Sequence, residues 1–160
     1  MKTVKIKKVL IAVDYDPSSK KVSETGYAFA QSMSAEVILL HVIADPLYYS
    51  STDFSPITGY LGYKDFNPAI LDTMDGLKEV TDTYLKKIKE HLGDEKITCV
   101  IKEGVLATEI IQASIATHAD VIVIGSHSRG WLEKALMGTV TESVLKGSKI
   151  PVLIVPTKKN

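Results

Sequence analysis

The sequence predicts an α/β domain, a doubly wound parallel sheet of five strands with helices on both faces. Two observations predict it. Five short runs dominated by β-branched residues, at 9–13, 37–42, 97–101, 121–124 and 152–155, carry too few polar residues to leave one face in water. Such runs suit strands covered on both sides. The segments between them repeat apolar residues at spacings of three and four, as a helix packed by one face does. Right-handed crossovers and short connections turn the alternation β-α-β-α-β-α-β-α-β into a doubly wound sheet.

Each element has its own justification. After the first run, Asp16 reads as an N-cap and Pro17 as the first helical residue, followed by a buried stripe of Val22, Gly26, Phe29, Ala30 and Met33. Residues 44–67 have no clear period and exceed the usual connection length. They carry Tyr48, Tyr49, Phe54, Tyr60, Tyr63 and Phe66, which suit packing over the domain, a partner surface or a cover for a ligand. Leu77, Val80, Thr81, Tyr84, Leu85, Ile88 and Leu92 line one face of a helix of about four turns. Ala107, Ile110, Ile111, Ser114 and Ile115 repeat the pattern after Gly104, and Val140, Val144 and Leu145 repeat it in a short last helix.

Composition narrows the function. With 160 residues a single domain spanning 1–160 is expected. Nineteen Lys plus Arg balance nineteen Asp plus Glu, so no global field draws the chain to nucleic acid or anionic lipid. Cys99 is the only cysteine and the four histidines are scattered, which argues against a disulfide framework or a zinc site. The apolar run at 9–13 is too short for a signal segment or a membrane span, so the expected location is the cytoplasm.

In open α/β sheets, ligands sit beyond the carboxyl ends of the strands. The first strand ends in Asp14-Tyr15-Asp16, the second in His41-Val42 and the third in Lys102-Glu103-Gly104. The fourth opens the richest loop, GSHSRGWLEKALMGTVTE, from Gly125 to Gly138-Thr139 and beyond. Thr139 and Glu142 have the spacing of a capping box, which predicts a helix N-terminus beside that loop. Free N–H groups, the helix dipole, and the hydroxyls of Thr139 and Thr141 make it an anion site suited to phosphate. His127, Arg129 and Lys134 add positive charge against one acid, Glu133. Asp14 is the complementary acceptor, for a ribose hydroxyl or a base amino group.

Dedicated catalysis lacks its motifs. A nucleophile elbow needs glycine at 126, where Ser126 stands. Gly125 and Gly130 have the first spacing of a P-loop, but Trp131 occupies the lysine position. At most, a slow and incidental hydrolysis is expected. A phospho-acceptor receiver domain predicts an Asp ending strand three and a Lys just after strand five. The chain has Ile101-Lys102-Glu103, and Thr157 separates Pro156 from Lys158.

The chain resembles the universal stress protein (UspA-like) family over nearly its whole length, through VLIAVD at 9–14, AEVILLHV at 35–42 and PVLIV at 151–155. Nucleotide-binding members carry G-x2-G-x9-G-[S/T]. Gly125, position 128 and Gly138-Thr139 fall at that spacing, with Ser128 in place of the middle glycine. The resemblance implies strand order 3-2-1-4-5, with Asp14 opposite Gly125 at the switch point. It implies adenine near Asp14 and the Val42 backbone, and phosphates cradled by Gly125, Ser126, His127, Ser128, Gly138, Thr139 and Val140, with Thr141 adding a hydroxyl and Arg129 beside them. The ligand implied is ATP or AMP, with Mg²⁺ carried on the phosphates. A serine held at positive φ costs about 1 kcal/mol, against which its hydroxyl offers a hydrogen bond.

In that order the last strand is a sheet edge. Val152, Leu153, Ile154 and Val155 carry no charge to deter pairing, and Pro151 and Pro156 limit its length without protecting the middle. A homodimer through this strand is expected, which is also the family's common arrangement. The alternative function is a stress-family dimer that holds no nucleotide and works as an interaction scaffold.

Overall fold

The computed structural model describes residues 1–44, 73–127 and 137–157. The aromatic-rich stretch after residue 44 lies outside them, as do Ser128, Arg129, Glu133 and Lys134. The elements are β1 (Lys8–Ala12), α1 (Ser19–Ser32), β2 (Glu36–Ile43), α2 (Met74–Leu92), β3 (Thr98–Glu103), α3 (Leu106–Ala116), β4 (Val121–Gly125), α4 (Thr139–Gly147) and β5 (Val152–Val155). The sheet is parallel throughout, in the order β3-β2-β1-β4-β5. At its centre Ile11 lies beside both Leu39 of β2 and Val123 of β4.

Alternate side chains of each central strand enter two separate cores, and for this reason the strands are apolar without a break. Val9, Ile11, Val37, Leu39, Val121 and Val123 pack with Val22 and Ala30 of α1 and with Leu77, Tyr84, Leu85 and Ile88 of α2. Leu10, Ala12, Ile38, Leu40, Ile122 and Ile124 pack with Ile110 and Ala113 of α3 and Val144 of α4. The third strand departs from expectation. It starts one residue later than the 97–101 run, and Thr98, Cys99, Lys102 and Glu103 are exposed because β3 is the outer strand on its side of the sheet.

Helix α1 also starts later than Asp16-Pro17 predicts. The Asp16 carboxylate accepts from Ser18 N at 2.9 Å and its carbonyl from Ser19 N at 2.9 Å, so Asp16 caps a tight turn that leads into the helix at Ser19. Helix α2 has the caps of a free-standing helix. Thr73 Oγ1 accepts from Gly76 N at 3.0 Å, and Gly93 closes the other end at φ 68°. No helix among the described residues is long and apolar enough to cross a membrane.

Gly26 sets how closely α1 approaches the sheet. A Cβ there would lie 2.8 Å from Ile11 Cδ1 and 3.1 Å from Val123 Cγ1, and neither residue is exposed at all. Gly26→Val is expected to destabilise by roughly 2–3 kcal/mol through overpacking. Urea melts should show a lower midpoint with an unchanged slope.

Candidate functional site

The order of strands reverses between β1 and β4, and their carboxyl ends frame a cleft. Its floor is apolar, built from Leu40 and Val42 of β2, Ile110 of α3 and Ile124 of β4. Its rim is polar. Asp14, Ser18, Gly125, His127, Gly138 and Thr141 line it, so residues far apart in sequence meet there. Val140 also lines the cleft, whereas Ser126 and Thr139 are not among its lining residues.

The Asp14 side of the cleft is held from beneath. Asp14 Oδ1 accepts from Asp16 N at 2.8 Å, which shapes the turn after β1. Val13 N donates to Leu40 O at 2.9 Å, and Val13 O accepts from His41 Nδ1 at 2.7 Å. The Tyr84 hydroxyl donates to the Asp14 carbonyl and also bonds Ser19 Oγ. Tyr15 bonds Thr81 Oγ1, which in turn donates to Leu77 O at 2.6 Å. Tyr84 and Thr81 read in sequence as members of a helical stripe. Their hydroxyls tie α2 to the loop that carries Asp14, a role that apolar period does not reveal.

His41 is buried, with its ring 4.2 Å from that of Tyr15 and 6.3 Å from that of Tyr84. Its Nε2 finds no hydrogen-bond partner among the described residues. Burial pushes its pKa down from 6.5 to about 4, against the opposing pull of the Val13 carbonyl. The unfolded chain therefore takes up a proton near pH 6.5 that the folded chain refuses until about pH 4. Stability falls as pH drops through that window, by roughly 3 kcal/mol in all. His41→Phe should flatten this part of the stability–pH curve while lowering the neutral plateau by about 1 kcal/mol, the Val13 bond being lost. Denaturant melts at a series of pH values check both effects.

The opposite side is the start of α4, where the expected capping box does not form. Gly138, at φ −65° and ψ 154°, is the N-cap, so Thr139 is the first helical residue and Glu142 the fourth. Glu142 turns outward to Lys146, at 2.6 Å. No side chain caps the helix, and the amides of Thr139, Val140 and Thr141 have no partner among the described residues. Three open N–H groups at the positive end of a helix make an anion site.

Three other amides expected in the cradle, those of Ser126, His127 and Gly138, are already engaged. Ser126 N donates to Val155 O at 2.8 Å, His127 N to Thr157 Oγ1 at 3.0 Å, and Gly138 N to Ser126 O at 2.7 Å. Thr141 Oγ1 donates to Gly125 O at 2.7 Å, fastening α4 to the end of β4. A Cβ at Gly125 would lie 3.0 Å from Thr157 Cγ2 and 3.1 Å from Val22 Cγ2, so a side chain there would press on both neighbours. Among the described residues no cluster of His, Cys, Asp or Glu suits a metal ion.

Comparison with known proteins gives consistent matches. The model described as "Universal stress protein family" matches residues 5–156. Universal stress protein MJ0577 of Methanocaldococcus jannaschii is 31% identical over 161 residues, covering 99% of each chain. The solved structure of MJ0577 superposes with a TM-score of 0.75 at 30% identity, covering 98% of this chain and 100% of that one. A universal stress protein crystallised in complex with cAMP shares the fold at a TM-score of 0.63 and 17% identity, over 97% of this chain and 100% of that one.

Proposed function

The chain belongs to the universal stress protein family, and from that premise we propose that it binds an adenine nucleotide, ATP or AMP, in the cleft between β1 and β4. It acts as a stress-response sensor or signalling module in the cytoplasm, formed by one domain over 1–160. The observation that carries this reading is the row of three open amides at the start of α4, on the same cleft as the Asp14 loop. The amides take phosphate oxygens. The apolar floor of Leu40, Val42 and Ile124 takes the flat face of a purine. Asp14 accepts from the ribose hydroxyls or the adenine amino group. It is joined by His127, which lines the cleft beside the phosphates and their Mg²⁺, and the family spacing adds Ser128 and Arg129, which lie outside the described residues, to the proposed phosphate site. A relative with the same fold was crystallised with cAMP, itself an adenine nucleotide, which supports the ligand class.

The direct test strips freshly purified protein of bound small molecules, identifies them by chromatography, and titrates the stripped protein calorimetrically with ATP, ADP, AMP and adenosine. Saturable binding at one nucleotide per chain, tighter for ATP than for adenosine, is expected. No retained nucleotide and no heat at millimolar ligand would overturn the proposal in favour of a ligand-free scaffold.

The protein also forms a homodimer through β5 in this reading. Pro151 O accepts from Ile122 N and Val155 O from Ser126 N, so odd-numbered residues of this strand face β4. Ile154 N–H and the backbone of Val152 then point off the sheet edge. Ile154→Pro is expected to remove the outward donor, keep the ladder to β4, and halve a solution mass of twice 17.5 kDa. Light scattering on a correctly folded variant that stays dimeric would reject this interface.

A further inference from the structure

We infer that Ser126 and Thr157 are positioning residues for His127: a closed ring of hydrogen bonds fixes its backbone and holds its imidazole in the tautomer protonated on Nε2. The functional consequence rests on the nucleotide reading above. Thr157 follows β5 and folds back over the end of β4. Its N–H donates to Ser126 Oγ at 3.0 Å. Its Oγ1 accepts from His127 N at 3.0 Å and donates to His127 O at 2.9 Å. Thr157 therefore grips both backbone groups of His127 with one hydroxyl.

The proton count then decides the imidazole. Thr157 has spent its hydroxyl proton on His127 O, so the Ser126 hydroxyl proton has two possible acceptors, Thr157 Oγ1 at 3.3 Å and His127 Nδ1 at 2.9 Å. The first separation exceeds the usual range for O–H···O and the second lies within hydrogen-bond range. Ser126 donates to Nδ1. A neutral His127 then carries its own proton on Nε2, and its free-base form is a donor, the polarity that a phosphate oxygen needs. Ser126 is buried and does not line the cleft, whereas His127 does. Ser126 accordingly acts through its neighbour.

The same ring links the site to the outer strand. Ser126 N bonds Val155 O, and Thr157 lies two residues beyond Val155, so the end of β5 and the His127 backbone move together.

Imidazole ¹⁵N–¹H correlation spectra of the full chain at pH 8, without nucleotide, read the tautomer directly. Wild type is expected to show His127 with a bare Nδ1 and a protonated Nε2. Ser126→Ala should redistribute the proton between the two nitrogens, and Ser126→Thr, which keeps the hydroxyl, should restore the wild-type pattern. Calorimetry supplies the second arm. Thr157→Val should weaken ATP about tenfold while leaving adenosine unchanged, and Thr157→Ser should recover the affinity. Melting curves on every variant separate these effects from unfolding. A wild-type His127 protonated on Nδ1, or a tautomer unmoved by Ser126→Ala, overturns the inference. So does a folded Thr157→Val that binds ATP as wild type does. A wild type with the Nε2 tautomer that ignores ATP leaves the hydrogen-bond ring standing and sinks the nucleotide reading instead.

Discussion

Thr139→Asp is expected to make the protein more stable and to remove its grip on ATP. Thr139 is the exposed first residue of α4, after a glycine N-cap that offers no side chain to the open amides. A carboxylate there complements the positive end of the helix and adds about 0.3–1 kcal/mol of stability. The same carboxylate repels phosphates drawn to those amides. Two unit charges 4 Å apart at an effective dielectric of 20 interact by about 4 kcal/mol, and salt reduces this. A loss of roughly 2–4 kcal/mol follows, or about 30- to 1,000-fold in ATP affinity. Adenosine should bind almost as before. Thr139→Asn, similar in size and neutral, is the control and should retain most ATP binding. Thermal melts and calorimetry on the same samples give both signs, and an Asp variant that binds ATP normally contradicts the anion site.

Asp14→Asn is expected to weaken ATP and adenosine alike, by about ten- to a hundredfold. Asparagine keeps a carbonyl oxygen that can accept from Asp16 N, as Asp14 Oδ1 does at 2.8 Å, so the turn after β1 survives. The other oxygen becomes an amide that donates where a ribose hydroxyl or a base amino group also donates. Two donors meeting in a partly buried site lose a hydrogen bond and leave a group unpaired, worth about 1–3 kcal/mol. Because this side of the cleft faces the nucleoside, the loss should not depend on phosphate number. The two substitutions thus divide the ligand, one acting on the phosphates alone and the other on the nucleoside common to all.

The strands were legible because burial on both faces leaves a mark that needs no long-range information. Val9 and Leu10 enter opposite cores, so neither could be polar. β3 was less legible for the same reason reversed, since an outer strand need not be apolar throughout. The expected cleft emerged at the switch point, with Asp14, Val42, Gly125, His127, Gly138, Val140 and Thr141 around it. Local motifs were weaker guides. Thr139 and Glu142 have capping-box spacing, but the same residues also fit a helix that starts one position earlier on Gly138. Asp16-Pro17 likewise marks a capped turn two residues ahead of the helix proper.

Hydrogen bonds across the chain left no trace in the sequence. The Tyr84 hydroxyl reaches the Asp14 carbonyl from another element, while its helical spacing marks it only as apolar surface. Thr157 had significance only as the residue separating Pro156 from Lys158, yet it grips His127 thirty positions away. Conversely, glycine and serine in the 125–138 loop suggested a cradle of many amides. Those of Ser126, His127 and Gly138 are engaged within the chain, and among the described residues the open donors lie at the head of α4.

Backbone ¹H–¹⁵N spectra recorded while ATP, and separately adenosine, is titrated into stripped protein test the central claim most directly. The amides of Thr139, Val140 and Thr141 should shift saturably with ATP and stay in place with adenosine, while those around Asp14 and Val42 respond to both. ATP that leaves the three helix amides unmoved, or that perturbs only residues away from the cleft, would contradict the account.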